Sequence, residues 1–200
     1  MINERILITG ANGNLGGTLV KELVDHNEFE IITVSSEKSK VYNMLEREQI
    51  EHRNRVTVMG SDTFFFTNWS ALGVTACIHM AFSRANRPKQ DIATSLDFSM
   101  NVYHKIHEMG VPRIVYLSSQ SVYGAIQEWR SEECVPAPES AYSMAKYAGE
   151  KLLEAEFKES KTEFSVLRLD YVIQSQKLVP ALCRDANNQA ARRKANIFLY

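Results

Sequence analysis

A short apolar run, Ile6-Leu7-Ile8-Thr9, stops at a glycine, and two more glycines follow in Gly10-Ala11-Asn12-Gly13-Asn14-Leu15-Gly16. Over residues 15–26 the apolar positions return at helical spacing, with Leu19, Leu23 and Val24 on one face. Strand, glycine loop and helix, in that order at the start of the chain, restrict the fold more than any other feature. A pyrophosphate is doubly charged and is approached most closely by backbone N–H groups, which side chains at the turn would block. The helix behind the loop aims its positive end at the same place. Asn12 and Asn14 suit the turn conformations that such a loop needs. Glycine spacing alone is a weak signal, and its place between a strand and an amphipathic helix gives it weight. The pattern Gly10-x-x-Gly13-x-x-Gly16 is one residue longer than the commonest dinucleotide fingerprint.

The rest of the chain alternates in the same way. Ile31-Ile32-Thr33-Val34, Arg55-Val56-Thr57-Val58-Met59, Ala76-Cys77-Ile78-His79-Met80, Ile114-Val115-Tyr116-Leu117 and Phe164-Ser165-Val166-Leu167 read as further short strands. Residues 41–50, 91–109 and 141–158 read as helices, the second of them stopped by Gly110 and Pro112. Short apolar strands separated by helices predict an α/β fold, a doubly wound parallel sheet covered on both faces. Phe64-Phe65-Phe66 is expected in the core or leading into a helix. Residues 185–189 are polar and 190–194 small and basic, which predicts a solvated helix or a frayed end.

With 44% hydrophobic and 24% charged residues and a net charge of -1, the composition is that of a globular protein. It lacks the basic face that nucleic-acid and membrane-surface proteins carry. No apolar run approaches the ~20 residues of a membrane span. The start of the chain lacks the apolar segment of a signal peptide. The 3 cysteines, Cys77, Cys134 and Cys183, show no metal-binding spacing, so free thiols in a reducing cytoplasm and no metal are expected.

Tyr142-Ser143-Met144-Ala145-Lys146 puts a phenol and an amine on one face of a helix. A free phenol, with a pKa near ~10, is a poor base at neutral pH. A neighbouring ammonium favours the phenolate, so the pair is expected to work as a proton shuttle. Just past the fifth strand lies Ser118-Ser119-Gln120-Ser121-Val122-Tyr123-Gly124. Ligands of open α/β sheets sit beyond the carboxyl ends of strands, where a hydroxyl can hold a substrate oxygen for Tyr142.

Taken together, these segments resemble the extended short-chain dehydrogenase/reductase family, the NAD-dependent epimerase/dehydratase group of sugar-nucleotide enzymes. The resemblance runs over residues 4–172 and rests on TGANGNLG at 9–16, IHMA at 78–81, YLSSQSVYG at 116–124, YSMAK at 142–146 and LR at 167–168. It implies a Rossmann domain over 1–172, followed at 173–200 by a remnant of a C-terminal substrate region or a tail. It implies a catalytic Ser119, Tyr142 as the acid/base, and Lys146 as its partner, which also holds the nicotinamide ribose. For the cofactor, NAD or NADP, it implies Gly10, Asn12, Gly13, Asn14, Leu15 and Gly16 at the pyrophosphate, and Asp62 at the adenine. Ala81, Phe82, Ser83 and Asn101 complete that set. His79 is also a family position, with a structural duty. A nucleotide-sugar substrate and a homodimer through helices 91–109 and 141–158 are implied as well.

The chain departs from the family at three places. NAD binders usually end the second strand with an acid that takes the ribose hydroxyls. Here that end is Ser35, with Lys38 and Lys40 close behind, so NADP stays open beside NAD. The 4,6-dehydratases follow the active-site hydroxyl with an acidic pair, whereas Ser119 is followed by Gln120 and Ser121, and Tyr171 stands where an asparagine often touches the nucleotide-sugar. Members usually continue well beyond the sixth strand, and here only 173–200 follow. The leading expectation is an NAD(P)-dependent epimerase or reductase. Its rival is a non-catalytic dinucleotide-binding sensor or scaffold, or a fragment whose activity needs further residues.

Overall fold

The computed structural model describes residues 4–26, 29–67, 73–125 and 131–170. Tyr171, Cys183, the polar and basic stretch at 185–194 and the whole 173–200 region lie outside the described residues. The described residues fall into two compact units, one within Met1–Met80 and one within Ala81–Val172.

The first unit runs β1 (Arg5–Thr9), α1 (Asn14–Lys21), a π-helical turn (Glu22–His26), β2 (Glu30–Ser35), α2 (Lys38–Arg47), β3 (Val56–Gly60), α3 (Ser61–Phe66) and β4 (Val74–His79). Its strands lie in the order β3-β2-β1-β4, each pair parallel. β1 and β2 are apolar and buried almost end to end, as strands covered on both faces must be. Ile6, Ile8 and Ile31 pack with Leu19, Val20 and Leu23 of the first helix and with Val41, Met44 and Leu45 of α2. Each such side chain gains about 1.5–3 kcal/mol by leaving water. The chain winds outward from β1 to β3 and then returns past β1 to β4. This reversal is the switch point of a doubly wound sheet, where the carboxyl ends of neighbouring strands open a crevice for ligands.

The second unit runs α4 (Lys89–Glu108), β5 (Arg113–Ser119), a 3-10 turn (Gln120–Tyr123), α5 (Ala141–Phe157) and β6 (Glu163–Leu169). β5 and β6 are parallel, with Ile114 opposite Phe164 and Ser118 opposite Arg168. α5 crosses between them and packs on both strands and on α4. A capping box starts α5: the Ser143 N–H donates to Ser140 Oγ at 3.0 Å, and the Ser140 N–H donates to Ser143 Oγ at 2.9 Å. That box fixes the first turn of α5, which carries Tyr142.

The fold is the doubly wound parallel α/β arrangement that the alternation predicts, with differences at element ends. α2 begins at Lys38 rather than at Val41, because Lys38, Ser39 and Lys40 form a solvent-facing first turn with no apolar periodicity. The phenylalanine run does not enter the core as a block. Phe64 is fully buried, whereas Phe66 is 89% exposed, because consecutive residues of a helix point in different directions. Among the described residues no helix is long and apolar enough to cross a membrane.

Candidate active site

In the first unit the glycine loop is built from backbone. Gly10 leaves β1 at φ 77, a conformation that side chains disfavour. Its carbonyl accepts from the Gly13 N–H at 3.1 Å, closing a tight turn. A Cβ on Gly16 would lie 2.3 Å from the Gly10 oxygen and 2.7 Å from Ala11 Cα, so only glycine lets α1 start against the loop. Gly13 caps α1 with no side-chain bond, and the first turn holds no acid. Gly13 and Asn14 are exposed there, with Asn12 and Leu15 half-buried beside them. Bare N–H groups, a helix dipole and no competing carboxylate fit a dinucleotide pyrophosphate.

Ser35 ends β2, and its hydroxyl accepts from the Glu37 N–H at 3.2 Å. Lys40 is paired with Glu37, while Lys38 lies along Gly60. Asp62 sits exposed in the first turn of α3. His79 is fully buried, with Nδ1 bonded to Thr9 Oγ1 at 2.7 Å, a structural tie between β4 and β1.

In the second unit, side chains make the site. Ser119 ends β5, and its hydroxyl acts on the Tyr142 phenol, pulling its pKa down. One helical turn further along α5, Lys146 is buried and its Nζ donates to the Leu117 carbonyl at 2.5 Å. The Phe82 ring covers that ammonium at 4.1 Å and meets Tyr142 edge-on at 5.9 Å. The Tyr116 ring faces the same ammonium at 4.7 Å.

Protonation here follows burial more than the lysine. Burial raises the Tyr142 pKa above that of a free phenol, and the bond from Ser119 works against it. Burial also pushes the Lys146 ammonium down to about 7, with the Glu150 carboxylate opposing. Sequence spacing assigns the lowering of the phenol to Lys146. In the structure the group that pulls it down is Ser119, burial outweighs that pull, and the Lys146 Nζ is turned to the Leu117 carbonyl.

Beneath this pair lies a buried network that the sequence reading passes over. Glu150 and Arg168 form an ion pair at 2.6 Å with both side chains 5% exposed. Ser118 donates to Glu150 at 2.5 Å, and Arg168 donates to the Tyr123 hydroxyl at 2.7 Å. Burial works against the Arg168 charge, but its bonds to Glu150 and Tyr123 prevail and hold its proton more tightly than in water. The available signal is spacing: Tyr142, Lys146 and Glu150 follow one another at four-residue intervals, one stripe of α5.

Ala81, Phe82 and Ser83 lead toward α4. The Ser83 hydroxyl donates to the Asp91 carbonyl at 3.1 Å, and the Ser83 N–H donates to Ser95 Oγ at 3.0 Å. Of the three, Phe82 is the one in contact with Tyr142 and Lys146. Asn101 is exposed on α4, and its amide donates to the Asp97 carbonyl at 3.0 Å. Cys77 and Cys134 are not joined in a disulfide, and Cys77 is fully buried and pushed well above its usual pKa by that burial. Among the described residues no group of His, Cys, Asp or Glu is placed to hold a metal ion.

The sequence profile of the NAD dependent epimerase/dehydratase family matches residues 6–192. The fold is shared with solved structures. UDP-glucuronic acid 4-epimerase from Bacillus cereus, in complex with NAD, superposes with a TM-score of 0.71 at 22% identity, over 86% of this chain and 58% of that one. UDP-glucose 4-epimerase from Thermotoga maritima, with UDP-glucose, gives 0.69 at 23% identity, over 82% and 54%. An enzyme of Bordetella bronchiseptica in complex with NAD gives 0.68 at 23%, over 83% and 53%. The chain thus spans little more than half the length of the solved structures it matches.

Proposed function

The chain belongs to the NAD dependent epimerase/dehydratase family, and on that premise we propose that it is an NAD-dependent epimerase or reductase. Its substrate is a nucleotide-sugar or a similar carbonyl or hydroxyl compound. The observation that carries this reading is the second unit's cluster, in which Tyr142 lies one helical turn from a buried Lys146, the Phe82 ring meets both, and Ser119 ends β5 as the group that pulls the phenol's pKa down.

Bound NAD supplies the hydride acceptor and donor. Gly10, Gly13 and Gly16, with Asn12, Asn14 and Leu15, would hold its pyrophosphate by backbone N–H groups. Ser35 and Asp62 would meet its adenosine half, and Ala81, Phe82, Ser83 and Asn101 would contribute to the remainder. NAD rather than NADP is supported by the NAD in two of the solved relatives and by the Lys40–Glu37 pair, which leaves that lysine's charge already matched.

Ser119 would orient the reacting oxygen of the substrate. Tyr142 would take or return the proton on that oxygen as hydride leaves or arrives at carbon. Lys146 would hold the nicotinamide ribose. Gln120 and Ser121, where a dehydratase needs an acidic pair, argue against elimination chemistry. The UDP-sugars named for the solved relatives supply the first substrates to try.

The test is single-turnover NAD reduction with UDP-glucose and UDP-glucuronic acid, read at the NADH absorbance. Tyr142→Phe is expected to slow hydride transfer by about 10²–10⁴-fold while NAD still binds. Wild-type transfer rates in Tyr142→Phe would overturn the assignment.

One observation favours a second reading, a non-catalytic dinucleotide binder. Phe82 covers Lys146 at 4.1 Å, so the lysine reaches a ribose only if that ring moves aside. This reading expects tight NAD binding with no turnover on any nucleotide-sugar.

A further inference from the structure

Ser119 ends β5 and caps the 3-10 turn that follows. Its Oγ accepts from the Ser121 backbone N–H at 3.2 Å and from the Ser121 hydroxyl at 3.0 Å. A serine hydroxyl has two acceptor lone pairs and one proton to donate. One residue therefore fills both lone pairs, and the bond left to Ser119 is the one it gives. The intervening Gln120 is bonded away to Asp170 at the end of β6, so it does not compete for the same oxygen.

We propose that Ser121 is a positioning residue, which fills both acceptor sites of the Ser119 hydroxyl and so holds Ser119 as a hydrogen-bond donor toward the Tyr142 oxygen. This rests on the assignment of Ser119 and Tyr142 made above. A hydroxyl with a spare lone pair can turn and accept from the phenol instead, and that bond favours the neutral form. Ser121 removes this choice. It also supplies a reason for a small hydroxyl residue at a position where related dehydratases need an acid: the group is used to orient a neighbour rather than to touch substrate. The polar and charged groups around the phenol are Ser119 from β5, Lys146 one turn along α5 and Tyr116 from β5, with the Phe82 ring edge-on to it and Glu150 beyond Lys146. Among them Ser119 is the one whose bond lowers the phenol, and Ser121 acts through it.

The experiment is a pH titration of the chain alone, labelled with Cζ-¹³C tyrosine and read by NMR, with the Tyr142 signal assigned by its absence in Tyr142→Phe. Ser121→Ala is expected to move the Tyr142 titration upward by about half to one pH unit, the scale of one hydrogen bond. Ser121→Thr, which keeps the hydroxyl, is expected to titrate as wild type. In a Ser119→Ala background, Ser121→Ala is expected to add no further shift, since its route to the phenol is gone. An unshifted Tyr142 in Ser121→Ala overturns the proposal, as does a full shift that persists without the Ser119 hydroxyl. If Ser121→Ala does not fold, Ser121→Cys carries the same expectation with a weaker donor of similar size. No cofactor or substrate enters the titration. A chain that turned over no nucleotide-sugar would still show the shift, so failure of the functional reading and failure of this one are told apart.

Discussion

The first unit builds its candidate site from backbone and the second builds its own from buried charge. Around Gly10, Gly13 and Gly16 no side chain is needed, and the tolerance is set by volume: one carbon on Gly16 meets the Gly10 oxygen at 2.3 Å. Around Tyr142 the side chains are everything, and the tolerance is set by charge. Glu150 and Arg168 are each 5% exposed and are held by each other, by Ser118 and by Tyr123. A pyrophosphate brings its own charge and needs only donors. A proton-moving phenol needs a surrounding that fixes where each proton lies. The difference teaches that adding a methyl group should damage the first site, and removing a charge should damage the second.

The largest effect is expected where the second site loses half of its ion pair. Arg168→Met leaves the Glu150 carboxylate buried without its partner, which costs about 3–5 kcal/mol of stability. Equilibrium urea unfolding measures it. Because the penalty comes from the orphaned charge rather than from a lost attraction, Glu150→Leu added to Arg168→Met is expected to recover most of the loss. If the single and double variants are equally unstable, charge is not what sets the tolerance of this unit, and the contrast between the two regions fails.

Next in size is Gly16→Ala. The atoms that a new Cβ would meet are backbone atoms of Gly10 and Ala11, which cannot rotate away as a side chain would. Overpacking of this kind costs about 1–3 kcal/mol, and the displaced N–H groups should weaken NAD binding with it. Asn14 is exposed at the start of α1, so Asn14→Ala is expected to stay within about 0.5 kcal/mol of wild type. Calorimetric binding of NAD and urea unfolding of the two variants, side by side, sharpen the comparison. An Asn14→Ala variant less stable than Gly16→Ala would contradict a site built from backbone.

The same contrast explains what the sequence makes legible. The glycine loop is local: its requirements fall within seven consecutive residues, and only glycine satisfies two of them. Tyr142 and Lys146 are local too, because four residues along a helix is one face. Alternating strands and helices carry the fold class, while the start of α2 escapes notice because its first turn is polar. Glu150 and Arg168 are not local, being 18 residues apart and joined only because α5 crosses back to β6. Ser121 reads as the absence of an acid until the 3-10 turn brings its hydroxyl onto Ser119. The phenol's protonation depends on how deeply Tyr142 and Lys146 are buried, and a spacing rule does not contain depth.

The last effect, spread over pH rather than seen at one condition, concerns that depth. Burial holds Lys146 down to about 7 against the pull of Glu150, whereas a lysine in an unfolded chain titrates near about 10.4. Below the folded value both states carry the proton, and the cost of burying the charge is fully present. Between the two values the unfolded chain binds a proton that the folded chain has released. Stability should therefore rise with pH across that window, by up to about 1.4 kcal/mol per pH unit from this one group. Tyr116 and Tyr142, both raised by burial, bind protons differently from unfolded tyrosine only above about 10. They leave most of the window to Lys146. Urea unfolding between about pH 7.5 and 9 should show the wild type gaining stability relative to Lys146→Met, which buries no charge at that position. Glu150→Gln removes the carboxylate that opposes burial, so its gain should begin at lower pH than in the wild type. Parallel pH curves for wild type and Lys146→Met would mean that the lysine is solvated in solution. The second site would then be no more deeply charged than the first.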